Sequence, residues 1–159
     1  MKIYRKQRKP ANTANDPELA YSEAESLSVE GLLGVAPARL SEPLSRVDTF
    51  REGFGKKSFE SLKKATGLDY QTLARALSLS TKTLQRTEVF DVVRSEKLYA
   101  LADLYATGMS YFGKEGFRSW MDRPLFTLGN RRPVELLDVS EGIALLRTEI
   151  MRLQHGITV

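Results

Sequence analysis

The chain has 159 residues, of which 42% are hydrophobic, and its 24 basic and 20 acidic side chains leave a formal net charge of +4. That is enough apolar material for one compact domain or two small ones, and no run of about 18 apolar residues exists to cross a bilayer. With no cysteine and one histidine, disulfides, thiol nucleophiles, Cys-ligated zinc and a paired-histidine relay are excluded, and no Gly-rich phosphate loop of the Walker or dinucleotide type is present.

The expectation is therefore a binding protein with no catalytic residues, no metal and no cofactor. Its charged first residues are followed by no apolar segment of the kind a secretory signal needs, which places the chain in the cytoplasm with no membrane partner. Charge is unevenly spread. Residues 1–9 carry five basic residues and no acid, residues 10–48 two basic and seven acidic, and residues 49–88 eight basic and four acidic. The basic excess of the foldable part thus lies in 49–88, where a polyanion would be drawn. A merely solvated surface gives the same count.

Residues 1–45 read as a flexible arm. Its basic tip adds non-specific DNA affinity or simply solubility, and Val29, Leu32, Leu33 and Val35 offer one short segment for docking between the interruptions Pro37 and Pro43. From Val47 the apolar spacing is helical and the fold class is all-α. Phe59, Leu62 and Ala65 mark a helix stopped by Gly67. Asp69 caps a helix over 70–77, and Ser80 caps another over 81–86 that buries Leu84. A longer helix over 92–111 ends at Gly113, and a short one over 116–122 carries Phe117, Trp120 and Met121. Beyond Pro124 and the turn pair Gly129-Asn130, Pro133 opens a helix over 134–137. Asp138 and Glu141 read as a capping pair for a last helix over 140–155, with Ile143, Leu146, Ile150 and Leu153 on one stripe and Gly156 as its left-handed stop. Ile157 is placed to fold back on that stop. The division expected is an arm (1–45), a helix-turn-helix and dimerisation domain (46–113) and a C-terminal domain (114–159).

Residues 70–86, YQTLARALSLSTKTLQR, have the helix-turn-helix plan, two short helices joined by a tight turn. Ala74 is small where the helices cross. Leu79 and Leu84 are apolar at the corner and in the second helix. Thr81, Lys82, Gln85 and Arg86 then face outward, where Gln and Arg match adenine and guanine edges and Lys reaches phosphates. Tyr70 and Gln71 start the first helix, near the DNA backbone. Ser78 occupies the turn position that glycine usually fills, at a cost of about 1 kcal/mol. A scaffold that only dimerises has the same plan.

Residues 117–159 carry Trp120 ahead of the Pro124 loop, Leu128-Gly129, then Pro133-Val134-Glu135-Leu136-Leu137, an acidic cap, Gly142 and the ending His155-Gly156-Ile157. This series resembles the C-terminal toxin-binding domain of the Xre/MbcA/ParS antitoxin family, and 59–86 resembles the Xre-type helix-turn-helix of the same family. The resemblance covers roughly 56–159. It departs from the family's pattern at Leu125, where asparagine is common, at Asn130, which replaces a second glycine, and at Arg132, where threonine usually caps the Pro-initiated helix. The resemblance implies a toxin partner with a RES domain that attacks NAD or transfers its ADP-ribose. It also implies active-site blockade by the antitoxin's C-terminal region, and repression of the shared operon by a homodimer bound to operator DNA.

A physical rationale stands beside it. A self-capped last helix holds the tail Gly156-Ile157-Thr158-Val159 in place with little ordering cost, so the tail and its carboxylate can plug an anion-accepting NAD pocket. Arg147, Arg152 and His155 lie near the same end, where the arginines can pair with toxin carboxylates. Trp120 and Phe117 read equally as core, Pro133, Gly129 and Gly142 as backbone devices, and Arg131 and Arg132 as solvated cations. A stand-alone transcription regulator whose C-terminal part only dimerises is the alternative, and an enzyme is a third reading for which no nucleophile–base set stands out.

Overall fold

The structure, a computed structural model, describes residues 27–156. Among these residues eight α-helices follow one another: α1 Val29–Leu33, α2 Pro43–Glu52, α3 Lys56–Thr66, α4 Tyr70–Ala76, α5 Thr81–Arg86, α6 Val92–Phe112, α7 Lys114–Asp122 and α8 Ser140–Gln154. Short 3₁₀ turns at Pro37–Arg39, Phe126–Leu128 and Pro133–Leu136 link them. Among the described residues there is no strand, only the isolated antiparallel bridges Gly55–Val89 and Leu125–Arg131. No helix among them is long and apolar enough to cross a membrane.

The helix boundaries follow from capping. Asp69, Ser80 and Asp91 each accept a hydrogen bond from the backbone N–H three residues on, at 2.7, 3.1 and 2.9 Å. Those bonds satisfy donors that the first turns of α4, α5 and α6 would otherwise leave open. The Thr72 N–H, and second the Thr72 hydroxyl, holds the Asp69 carboxyl below its usual range. A depressed folded-state value means that the stabilisation is present above the unfolded pKa and is lost as pH falls through the folded one. Asp69→Ala is expected to lower stability by about 1 kcal/mol at neutral pH, with the difference from wild type shrinking below about pH 4. Urea melts at pH 7 and pH 3 check this, and a pH-independent difference would assign the loss to something other than the charged cap.

The core surrounds α6, the 21-residue helix on which α1, α2, α3, α7 and α8 all pack. Leu98, Leu101, Ala102 and Leu104 are fully buried along it. Gly108 lets the Phe117 ring lie directly on the α6 backbone, since a Cβ there would overlap that ring. Phe117 in turn meets Tyr105 edge-on at 5.1 Å and stacks with Trp120 at 5.7 Å. Both Phe117 and Trp120 are core. At the other end of α6 the buried Ser95 hydroxyl accepts from the Phe54 N–H at 3.0 Å and donates to the Phe90 carbonyl at 3.2 Å. That single side chain ties the α2–α3 corner to the segment after α5.

Three details differ from expectation. Pro43 starts α2 at its first position rather than interrupting structure, so helix begins before Val47; proline lacks only an N–H that a first turn leaves unbonded anyway. The docked segment expected within 1–45 does form, as α1, capped by Ser28, ended by Gly34 at φ 61 and anchored by fully buried Leu32 and Leu33; residues 1–26 lie outside the described range. The Asp138–Glu141 capping pair does not form. Val139 holds the N-cap position of α8 and supplies no side-chain bond, while Asp138 lies one residue too early. The first turn of α8 instead packs on the Pro133–Leu136 turn, which is 3₁₀ rather than α-helical. There the Glu135 carboxylate reaches back to accept from the Arg132 N–H at 3.0 Å and from its guanidinium at 3.3 Å. Arg132, at the N-cap position of this turn, supplies no side-chain oxygen, and Glu135 bonds back to Arg132 itself.

Candidate DNA and partner interfaces

The turn between α4 and α5 closes through Ser78, which takes φ 54. Its neighbour Leu79 donates to the Ala74 carbonyl at 2.9 Å, so the turn is hydrogen-bonded despite the left-handed serine. Ser78→Gly should therefore raise stability by up to about 1 kcal/mol, the strain that an L side chain carries there. A denaturant midpoint that does not rise would show the serine side chain to be compensating. Leu73, Ala74 and Leu84 are buried between the two helices. Gln71, Thr81, Lys82, Gln85 and Arg86 are all exposed. Gln71 and Thr81 line one surface depression with Arg75, across the mouth of the motif.

Tyr70 is placed differently from the others. Its ring packs on Phe59 with centroids 5.6 Å apart, Lys63 Nζ lies 4.9 Å above it, and its hydroxyl donates to Glu60. That bond, followed by burial and the Glu60 charge, pushes the phenol pKa up. The hydroxyl is thus committed to α3, and Tyr70 fixes the start of α4 against its neighbour.

At the far end, Leu146 and Ile150 of α8 are fully buried against the core. Arg147 forms an ion pair with Asp103 of α6 and keeps half its side chain exposed (51%). Arg152 pairs with the buried Glu149 at 3.1 Å. The Tyr111 hydroxyl of α6 donates to the Leu153 carbonyl at 3.1 Å, which also accepts from the Gly156 N–H at 3.2 Å, and so ties α6 to the end of α8. His155 is exposed, and its N–H closes the final turn onto the Met151 carbonyl at 3.1 Å. Gly156 is left-handed at φ 69. Ile157, Thr158 and Val159 lie outside the described residues.

Two family profiles match these halves of the molecule. Residues 45–103 match the antitoxin Xre-like helix-turn-helix domain. Residues 107–156 match the antitoxin Xre/MbcA/ParS C-terminal toxin-binding domain. The chain belongs to the Xre/MbcA/ParS antitoxin family. It is 25% identical to the Prs ADP-ribosylating antitoxin of Sphingobium sp. (strain YBL2), over 73% of this chain and 82% of that protein. It is likewise 25% identical to the antitoxin Xre of Yersinia enterocolitica (serotype O:8 / biotype 1B, strain NCTC 13174 / 8081), over 70% of this chain and 79% of the relative.

In this antitoxin the two matched segments are joined by polar contacts that the sequence did not disclose. The Arg75 guanidinium of α4 donates to the Val134 carbonyl at 3.1 Å. Lys97 of α6 donates to the Asp138 carbonyl at 3.0 Å, and burial lowers the lysine's pKa. With Arg147–Asp103, these link residues 59, 41 and 44 positions apart. No local pattern marks such pairs; only the folded chain brings them together.

Proposed function

We propose that this antitoxin neutralises a cognate RES-domain, NAD-consuming toxin by blocking its active site with the C-terminal region, and that it represses its own operon by binding operator DNA through α4 and α5. The observation that supports the first half is the fixed position of α8. α8 is held to α6 by buried Leu146 and Ile150, by Arg147–Asp103 and by the Tyr111–Leu153 bond. His155 and Gly156 therefore stand at a set point, from which the C-terminal region can enter a partner's pocket at little entropic cost. Arg147 and Arg152, each half-exposed and oriented by an internal carboxylate, present guanidinium edges to toxin carboxylates. His155, Gly156, Ile157, Thr158 and Val159 form the inserted end. ADP-ribosylation, which appears in the name of the Sphingobium relative, consumes NAD and supports an NAD-consuming partner here.

The second half rests on the exposed row Gln71, Thr81, Lys82, Gln85 and Arg86 on a helix-turn-helix. A homodimer would present two such rows to a two-fold operator. The functional division is 46–113 for DNA and dimerisation and 114–159 for the toxin. In this reading the protein is not an enzyme, works in the cytoplasm, and leaves the NAD chemistry to its partner. Co-expressing the toxin with the antitoxin lacking 156–159, and following cellular NAD and growth, tests the blockade. NAD loss and growth arrest are expected, and full protection by the shortened chain overturns the plug.

A further inference from the structure

Phe126 is the most exposed large apolar side chain among the described residues, at 89%, yet its backbone is not loose. The Leu125 N–H donates to the Arg131 carbonyl at 3.1 Å, the Asn130 N–H to the Leu125 carbonyl at 2.9 Å, and the Gly129 N–H to the Phe126 carbonyl at 3.0 Å. Gly129 and Asn130 both take positive φ, 66 and 58, and close the loop as a hairpin-like turn. Leu128, two places on, is buried and pins the loop to the core. Residues 123–132 include Arg123, Arg131 and Arg132 and no acidic residue, and all three arginines are exposed. Arg132 is engaged by Glu135, whereas Arg123 and Arg131 of the same loop have no carboxylate partner among the described residues.

A bare aromatic on a fixed, basic loop has the properties of an interface anchor. It offers a large apolar area, little conformational freedom to lose, and charges for orientation. A second copy is a poor occupant. A two-fold contact centred on this loop would set its arginines against their own copies, and residues 123–132 supply no carboxylate to pair with them. The loop lies inside the segment matched as toxin-binding.

We propose that Phe126 inserts into an apolar cavity on the toxin whose rim carries carboxylates facing Arg123 and Arg131. The inference rests on the toxin-binding reading above and adds a docking point separate from the chain end. It is tested with the full-length antitoxin, its tail intact, titrated against catalytically inactive toxin. Phe126→Ala should weaken binding by about tenfold or more, and Arg131→Glu by a smaller factor, while thermal midpoint, self-association and affinity for a duplex stay at wild-type values. Unchanged toxin affinity for Phe126→Ala overturns the anchor. So does a loss of self-association or duplex binding with toxin affinity retained, or a collapse of the thermal midpoint, which would make the ring a fold element. A wild-type chain that captures no toxin removes the antitoxin reading itself, whereas tight wild-type capture with an indifferent variant removes only the anchor.

Discussion

Phe117→Ala is expected to lower stability by about 4 kcal/mol, the range for truncating a fully buried phenylalanine whose surroundings cannot collapse. For a chain of this size that corresponds to a fall in Tm of roughly 8–16 °C. The magnitude follows from how the ring is held. It lies on the α6 backbone at Gly108, meets Tyr105 edge-on at 5.1 Å and stacks with Trp120 at 5.7 Å and Phe112 at 6.0 Å. Removing it leaves a flat void bounded by helix backbone and by three rings already packed elsewhere. Thermal melts followed by circular dichroism check the value. A loss under about 1 kcal/mol would mean that Trp120 swings in to fill the space.

The second large effect falls on Gly142. In helix-forming tendency alone, Gly142→Ala would gain about 1 kcal/mol. The first turn of α8, however, lies against the Pro133–Leu136 turn, and a Cβ at Gly142 would overlap the Leu136 carbonyl oxygen. A backbone carbonyl cannot rotate aside as a side chain can, so steric cost outweighs propensity and a net loss of about 2 kcal/mol is expected. The function should suffer further than the stability. The start of α8 moves, and with it the direction in which the chain end leaves. The measurement is a pair of titrations, urea for stability and inactive toxin for affinity. A stable variant with unaltered toxin affinity would show that the turn yields and that the exit direction is not set there.

The helical fold was legible because each device that sets it is local. Asp69 and Ser80 sit one residue before an apolar period begins, and Gly67, Gly113 and Gly156 sit where a helix must stop; all five act where their spacing places them. The strained Ser78 was legible for the same reason. Asp138 misled because its spacing to Glu141 fits a capping pair, while α8 starts at Ser140, as its apolar stripe indicates, with Val139 in the N-cap position and Asp138 one residue outside it. Arg75–Val134, Lys97–Asp138 and Arg147–Asp103 carried no signal, since partners 41 to 59 positions apart share no periodicity. The outward row of α4 and α5 could be read from helical spacing, but not that the Tyr70 hydroxyl is taken by Glu60. Phe126 was invisible as a surface feature. In a sequence it is one more apolar residue beside Leu125, and only the positive-φ pair that turns the loop shows it standing clear of the protein.

Helix α6 belongs to both matched segments: one ends at residue 103, the other starts at 107, and the junction falls within an unbroken stretch of 21 residues. Such a rod is ~32 Å long and offers no hinge. With the ligands proposed here, the angle between groove and captive toxin is a constant of the molecule, like two tools fixed to one shaft. Shifting the spacing between operator half-sites by a few base pairs would then rotate one toxin around the duplex relative to the other, and steric exclusion between the two passengers would become a measurable filter on which promoters the assembly can occupy.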